Sequence, residues 1–135
     1  MGTYFFIIFD VILSITNSNF QNGMASLGGA IYISGDSDVS IYDSNFYKNY
    51  AKTFGGAIYG SGFSKLYIGK GSTFQNNIAL EKGDDFYVLN TETNLIIEDT
   101  NITNPEAKTS IYAEVVSLSI LRSNFLNMNK NDESL

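Results

Sequence analysis

Carboxylates are the side chains of this sequence that could do chemistry. The chain has 14 Asp and Glu residues, eight Lys and Arg residues, no histidine and no cysteine. Histidine is the commonest general base and metal ligand, and a thiolate site needs cysteine. Acid–base work or cation binding would therefore fall to carboxylates, and two pairs stand close in sequence: Asp84 with Asp85, and Asp36 with Asp38.

The charge of the chain argues against one class of partner. Its formal net charge is −6 and its pI about 4.4, and the basic residues are spread without forming a patch. Nucleic-acid binding depends on clustered cations and is not expected. At 135 residues and 44% hydrophobic content, the chain is expected to form one domain with its own core. No cofactor is predicted.

Two short phrases recur in the same order. Gly28-Gly29-Ala30-Ile31-Tyr32 returns 27 residues later as Gly55-Gly56-Ala57-Ile58-Tyr59, and a Ser-Asn-Phe triplet precedes each copy. A repeat of this length is typical of an array built from one structural unit. Alignment on the last residue of the triplet gives one column at spacings of 26, 28, 28 and 23 residues: Phe20, Phe46, Phe74, Ile102 and Phe125.

Each repeat contains two strand-like runs. Alternating apolar pairs precede the phenylalanine column: Leu13/Ile15, Val39/Ile41, Leu66/Ile68, Leu95/Ile97 and Leu118/Ile120. Such short alternation predicts a strand with one buried face. The second strand follows the Gly-Gly phrase and points apolar residues inward at Ile31/Ile33, Ile58/Gly60, Phe86/Val88 and Ile111/Ala113. Its outward position forms a tyrosine column that begins at Phe6 and continues through Tyr32, Tyr59, Tyr87 and Tyr112.

Parallel stacking explains these columns better than hairpins do. A meander or propeller needs tight turns between matched strands, whereas the connections here are long and unequal. A parallel solenoid stacks equivalent residues about 4.8 Å apart, which favours identical side chains. We predict an all-β, right-handed parallel β-helix of about four and a half coils, forming one domain over residues 1–126. Its coils lie near 1–12, 13–38, 39–65, 66–94, 95–117 and 118–126, and a polar tail covers 127–135.

The apolar N-terminal run Tyr4–Phe9 has two interpretations. It fits a buried strand in a partial first coil, and the alternative is a degenerate signal or anchor. A signal peptide would carry basic residues ahead of the run and a small-residue cleavage site after it, and neither is present. The run is also too short to span a bilayer, and no other stretch approaches a membrane span.

Gly-Gly-Ala-Ile paired with Phe-x-x-Asn resembles the repeat of the polymorphic outer membrane proteins of chlamydiae, and similar repeats occur in surface proteins of some protists. Gly28-Gly29-Ala30-Ile31 and Gly55-Gly56-Ala57-Ile58 match the first motif, and Phe46 with Asn49 and Phe74 with Asn77 match the second. The Phe20 copy departs at its last position. The resemblance covers about residues 11–90, and it implies a pectin-lyase-like β-helix at the cell surface with adhesive duties.

An enzyme of this fold is the alternative. Gly83-Asp84-Asp85 is similar to the Gly-Asp-Asp of pectin-cleaving hydrolases, whose neighbouring carboxylates activate water and protonate the leaving oxygen. The partners of that site, a histidine and an Arg-x-Lys, are absent. Because the phrase occupies the column of Gly-Gly-Ala, we interpret it as a drifted repeat with a solvent-facing Asp85, and we predict no catalytic residues.

The remaining acidic residues favour structural roles. Asp43 and Asp99 share a column with Arg122 one coil further on, which predicts a charged ladder with Lys70 near Asp43. Such a ladder would add little stability. No metal site is predicted, although a structural calcium at the Asp36–Asp38 turn stays an alternative. The Gly-Gly pairs lack the lysine, hydroxyl and helix of a phosphate loop, and we expect them to form tight turns with positive φ. Asn101-Ile102-Thr103 has the form of a glycosylation sequon, which chance explains in so Asn-rich a chain.

The tyrosine column is the candidate binding surface. A strip of aromatic rings on one outer face could bind sugar rings or a protein, since aromatic side chains bury large area and keep a polar tip. The alternative is that the tyrosines only stabilise the sheet. We predict a non-catalytic, extracellular or cell-surface module for adhesion or ligand binding, part of a longer repeat protein. Its partners would be a glycan or protein ligand and, at the open ends, further β-helix coils.

Overall fold

A computed structural model describes residues 5–8, 10–89, 94–105 and 107–126, and every regular element within them is a β-strand. The strands are β1 (Phe5–Ile8), β2 (Ile12–Thr16), β3 (Asn19–Gln21), β4 (Met24–Leu27), β5 (Ile31–Ser34), β6 (Asp38–Tyr42), β7 (Asn45–Tyr47), β8 (Tyr50–Phe54), β9 (Ile58–Ser61), β10 (Lys65–Gly69), β11 (Thr73–Gln75), β12 (Ile78–Ala79), β13 (Phe86–Leu89), β14 (Asn94–Glu98), β15 (Asn101–Thr103), β16 (Ile111–Glu114), β17 (Ser117–Leu121) and β18 (Asn124–Leu126). The predicted tail 127–135 lies outside the described residues.

The strands form four parallel sheets that run along a solenoid of about four turns. Sheet A is β1-β5-β9-β13-β16, sheet B is β2-β6-β10-β14-β17, sheet C is β3-β7-β11-β15-β18, and sheet D is β4-β8-β12. Each strand pairs with its counterpart in the next coil, and Phe46, for example, pairs with Phe20 on one side and Phe74 on the other. The parallel β-helix prediction is confirmed, together with the phenylalanine and tyrosine columns.

The inward columns form a continuous core. The rings of Phe20, Phe46 and Phe74 stack at centroid distances of 4.8 and 4.5 Å, and Phe86 from sheet A meets Phe74 at 4.4 Å. Apolar burial of this kind is the main source of stability in such a small domain. Gly60 interrupts the apolar column of sheet A because a Cβ there would lie 2.3 Å from the ring of Phe63, which fills the space.

Within the predicted run Tyr4–Phe9, residues Phe5–Ile8 form β1, which confirms the strand, and Tyr4 and Phe9 lie outside the described residues. The strand is not buried as a whole, because Phe5, Phe6 and Ile8 are exposed. Its main-chain partner is β5, and Phe6 pairs with Tyr32 at the start of the tyrosine column. Ile7 is buried, and the ring of Phe5 packs edge-on against Phe20 at 5.6 Å. These contacts make β1 part of the same core as the coils that follow.

Sheet D is the one sheet that the repeat pattern did not predict. It is built from three segments, residues 24–28, 50–55 and 78–83, which we call the side loops. Each begins after the Phe-x-x-Asn phrase or its equivalent and ends at the first glycine of the Gly-Gly-Ala phrase or its equivalent. The two ends of a side loop touch, since a Cβ on Gly23 would lie 2.1 Å from the carbonyl oxygen of Gly29. Sheet D ends at β12, and no strand of it is found between β15 and β16 in the residues described there.

Candidate functional site

Buried asparagines close the base of each side loop. Asn49 Oδ1 accepts the N–H of Gly23 at 3.0 Å, and Asn77 Oδ1 accepts both the backbone N–H and the side-chain amide of Asn49 at 3.0 Å. The two side-chain amides also donate to the carbonyl oxygens of Phe20 and Phe46. A corner of this kind carries backbone groups that must be paired once they are buried. The Asn of Phe-x-x-Asn is therefore a structural residue in both repeats.

The two glycines of the Gly-Gly phrase are needed for different reasons. Gly28 and Gly55 adopt positive φ values of 59° and 68°, as predicted. Gly29 and Gly56 have no such φ, but each lies against the next coil. A Cβ on Gly56 would lie 2.1 Å from the carbonyl oxygen of Asp84 and 2.6 Å from the backbone of Ile78. The second glycine is therefore required by close approach of backbones.

Asp84 and Asp85 form a buried acidic corner in the third copy of this phrase. Asp84 is 3% exposed and Asp85 0% exposed, so the prediction of a solvent-facing Asp85 is wrong. The expected column is present, because the N–H of Ile58 donates to the carbonyl oxygen of Asp85 and Phe86 pairs with Ile58. Asp85 is buried because Ser110 of the next coil lies over it and Asn77 lies beside it.

Hydrogen bonds from the chain occupy both carboxylates. Asp84 Oδ1 accepts the N–H of Ala79 at 2.9 Å, and Oδ2 accepts the N–H groups of Lys108 and Thr109 at 2.7 and 3.0 Å. The carboxylate thus takes the place that a further strand of sheet D would occupy above β12. Both carboxyl groups are buried and hydrogen-bonded within the chain, which gives the corner a structural role.

Burial raises the pKa of Asp85 to about 6, and the negative charge of Asp84 adds to this rise. Hydrogen bonds from Ser110 Oγ at 2.5 Å and Asn77 Nδ2 at 2.9 Å act in the opposite direction because they favour the charged form. Desolvation outweighs them. A carboxyl group of this kind changes its charge within the physiological pH range.

The tyrosine column lies on the outer face of sheet A, and its rings stack on one another. The column runs in the order Phe6, Tyr32, Tyr59, Tyr87 and Tyr112. The centroids of successive rings lie 4.6, 5.1, 5.6 and 4.9 Å apart, with interplanar angles of 6° to 16°. The faces of the inner rings therefore contact neighbouring rings, and ring edges are left for other contacts. Phe6 at the N-terminal end is 63% exposed, whereas Tyr87 is only 8% exposed.

The side loops lie along one flank of this column. The ring of Phe54 stacks on Tyr87 at 4.3 Å, and Lys82 Nζ lies 4.5 Å from the ring centroid of Tyr112. Phe54 and Lys82 share a column with Leu27, one place before each Gly-Gly phrase or its equivalent. The tyrosine face is defined as these two columns together. The sequence analysis missed the flanking column, although its fixed position before Gly28, Gly55 and Gly83 was a usable signal.

Polar groups edge the tyrosine face. The hydroxyl of Tyr112 donates to Glu114 Oε1 at 2.6 Å, and the hydroxyl of Tyr59 interacts with Ser61. Burial is the largest cause of the raised pKa of Tyr59 and Tyr87, and each is raised further by a neighbouring tyrosine. The face thus combines aromatic edges, a lysine and hydroxyl groups.

The other candidate residues do not converge on a site. Arg122 Nε lies 2.8 Å from Asp99 Oδ1, and its guanidinium also pairs with Glu98, which confirms the charged ladder at that end. The N–H of Asp43 donates to the carbonyl oxygen of Lys70 in the next coil. The side-chain amine of Lys70, however, lies over the ring of Tyr42, 5.9 Å from its centroid. Over the residues that the structure describes, no group of three or more acidic side chains could hold a metal ion. Within the same residues, no helix has the length and apolar character needed to cross a membrane.

One segment of the chain matches a known protein family. Residues 43–61 match the Chlamydia polymorphic membrane protein repeat (Chlamydia_PMP). This segment contains the triplet ending at Phe46, Asn49, one side loop and Gly55-Gly56-Ala57-Ile58, which together form one complete loop base. The suspected resemblance is confirmed, and the match suggests a surface repeat protein. No curated protein and no solved structure matches the chain.

Proposed function

We propose that this chain is a non-catalytic module of an extracellular or cell-surface protein that binds a ligand through the tyrosine face. The observation that carries the proposal is the unbroken aromatic column along sheet A, flanked by Phe54 and Lys82. Aromatic rings and cations are enriched at recognition surfaces. The surface-protein character of the matching repeat supports this location. Fold alone would not, because β-helices serve many functions.

The geometry favours a ligand that lies along the solenoid axis. Because the inner rings stack face to face, a ligand would meet their edges and hydroxyl groups, one tyrosine in each coil. A linear glycan presents hydroxyl groups at regular intervals, and the coils repeat about every 4.8 Å. We therefore propose a glycan as the ligand, with Tyr32, Tyr59, Tyr87 and Tyr112 as its contacts.

A glycan array with a Tyr59→Ser/Tyr87→Ser variant tests this proposal. The parent should bind a defined set of glycans, and the variant should lose at least tenfold in apparent affinity. The matched control is Tyr42→Ser/Tyr67→Ser, which should bind as the parent does. It removes two neighbouring tyrosines of sheet B whose ring centroids lie 5.3 Å apart. Circular dichroism would check that all three proteins are folded. A folded parent that binds no glycan, or equal losses in both variants, would count against the proposal.

We also propose that a further β-helix coil covers the C-terminal end of the described solenoid. The inward residues Leu118, Ile120 and Phe125 are 47%, 41% and 38% exposed, whereas their counterparts in the inner coils are fully buried. Free strand edges with an apolar rung fit another coil of the same repeat. Sedimentation velocity should show self-association that Leu118→Lys/Ile120→Lys abolishes and Leu80→Lys, on a side loop, does not. A parent that stays monomeric up to high concentration would oppose this.

A further inference from the structure

Asp85 replaces a small apolar residue at a fully buried position of the repeat. Ala30 and Ala57 occupy the same column in the two preceding coils, and all three residues are 0% exposed. Ser110 follows Asp85 in this column, because Phe86 pairs with Ile111 in the next strand. The carboxyl group therefore lies between two coils, where its charge has no access to water. Burial of a charge at such a point is costly unless it is paired.

No cation pairs with Asp85 among the described residues, where the ion pairs belong to Arg122 with Glu98 and Asp99. The charged group that faces it is Asp84, which has the same sign. Its other neighbours are neutral: Asn77, Asn104 and Ser110. Three neutral donors stabilise a carboxylate less than an ion pair would at this depth. The site therefore favours the protonated acid in mildly acidic solution.

A neighbour of Asp85, Asn104, carries an unpaired buried acceptor. Asn104 Oδ1 is buried and has no hydrogen-bond partner in the described part of the chain, while its amide nitrogen donates to the carbonyl oxygen of Asn77. An unpaired buried acceptor of this kind costs free energy. Asp85 in its charged form offers two more acceptors and no donor.

The acidic corner also holds the following coil in place. Asp84 accepts the N–H groups of Lys108 and Thr109, and Asp85 accepts the hydroxyl group of Ser110. These residues form the connection into β16, where the strand of sheet D is missing. Whatever changes the charge of Asp85 therefore acts on the attachment of this coil to the one before it.

We propose that Asp85 is a proton-operated latch that fastens the connection 107–110 and β16 to the preceding coil. The protonated acid removes the buried charge beside Asp84. The ionised form, although it accepts the hydrogen bonds of Ser110 and Asn77, favours an opening of the connection that brings water to the carboxylate. Since the pKa of Asp85 is raised to about 6 from 3.8, the folded protein binds this proton more tightly than the unfolded chain. Stability is therefore greatest below pH 4 with respect to this group, and it is lost as the pH rises through about 6.

Carboxyl carbon NMR and hydrogen exchange on the whole chain test the latch. The Asp85 carboxyl resonance should titrate near pH 6. Protection factors of the Phe86 amide, which donates to the carbonyl oxygen of Ser110, and of the β16 amides should fall by up to about tenfold from pH 5 to pH 8. Amides of β9, inside the solenoid, serve as the internal reference. An Asp85 resonance that titrates at pH 4 or below would overturn the proposal.

Asp85→Asn is the matched variant, because it keeps the shape and one acceptor oxygen but cannot titrate. It should give β16 protection factors that are the same at pH 5 and pH 8. Asp85→Ala, which restores the residue of the two preceding coils, is a second non-titrating variant if the first folds poorly. A pH dependence that persists in both variants would show that another group is responsible.

Discussion

Two equivalent corners of this solenoid, Gly55-Gly56-Ala57 and Gly83-Asp84-Asp85, follow the same backbone path with different residues. Gly55-Gly56-Ala57 is followed by another side loop, whereas the described residues after Gly83-Asp84-Asp85 contain no further strand of sheet D. In the first corner, the backbone of Ile78 lies where a Cβ on Gly56 would be. In the second, the side chain of Asp84 fills the vacated space and accepts two N–H groups of the next connection. The residue at a repeat position is thus decided by what the next coil places above it.

This comparison explains why the repeat motif is strict in one coil and relaxed in the next. A glycine is required where sheet D continues, because strands in adjacent coils approach too closely for a side chain. Where sheet D ends at β12, the N–H of Ala79 has no strand to pair with, and a carboxylate supplies the acceptor. The Gly-Asp-Asp phrase therefore marks the end of sheet D in the described residues.

The largest effect should follow from moving the acidic residue into the first corner. Gly56→Asp would place a Cβ 2.1 Å from the carbonyl oxygen of Asp84 and 2.6 Å from Ile78, both backbone groups that cannot move alone. We expect a loss of more than about 3 kcal/mol in the free energy of unfolding, or no folded protein. Urea denaturation followed by circular dichroism measures it.

Gly62→Asp is the control for this substitution. Gly62 has a positive φ of 69°, but a Cβ there would meet nothing nearer than 3.9 Å. Its cost should be confined to backbone strain, roughly 1 kcal/mol, since Asp tolerates this conformation better than most residues. Equal effects of the two variants would show that the approach of the next coil is not what limits Gly56.

A smaller effect should follow from removing the amide that joins the two corners. Asn77 accepts two hydrogen bonds from Asn49 and donates to Asp85 and to the carbonyl oxygen of Phe46. Asn77→Ala leaves these groups unpaired in a buried site, and we expect a loss of roughly 3 kcal/mol. Urea denaturation again gives the value.

Asn49→Ala is the comparison that isolates Asp85, because Asn49 holds the equivalent place one coil earlier but has no carboxylate partner. Its loss should be smaller, roughly 2 kcal/mol. In the Asp85→Ala background, the two asparagine variants should become nearly equal. Persistence of the difference there would mean that the acidic corner does not set the larger cost of Asn77→Ala.

The columns of this fold were predictable because stacking repeats them. Phe46 pairs with Phe20 and Phe74, and Tyr59 pairs with Tyr32 and Tyr87. The same residue type therefore recurs at each of these positions along the sequence. Sheet D was not predictable from such evidence, because its residues vary between Met24, Tyr50 and Ile78 and only alanine recurs beside them. Its signal was the six-residue spacing from Asn49 to Gly55 and from Asn77 to Gly83.

The burial of Asp85 could not be predicted for a different reason. In a repeat, a carboxylate in an alanine column suggests an outward turn of the side chain, and local sequence contains nothing against it. The burial depends on Ser110 and Asn104, which lie in the connection between β15 and β16. This connection spans seven residues (104–110), whereas the segment between β11 and β13 one coil earlier spans ten (76–85). Only the three-dimensional path of that shortened connection brings them onto the carboxylate.

The smallest effect is expected from the acidic pair that does have a cation. Arg122 donates to Asp99 and Glu98 at the surface, where its side chain is 62% exposed. The hydrogen bond and charge of Arg122 lower the pKa of Asp99, so any stability from this pair is present at neutral pH and is lost only in acid. Solvent screens such a pair. Arg122→Gln should therefore leave the urea midpoint at pH 7 within error and leave the pH dependence near 6 intact, whereas Asp85→Asn should abolish that dependence. If Arg122→Gln removed it instead, the titrating group would belong to the exposed ladder, and the contrast between a paired surface carboxylate and an unpaired buried one would have to be abandoned.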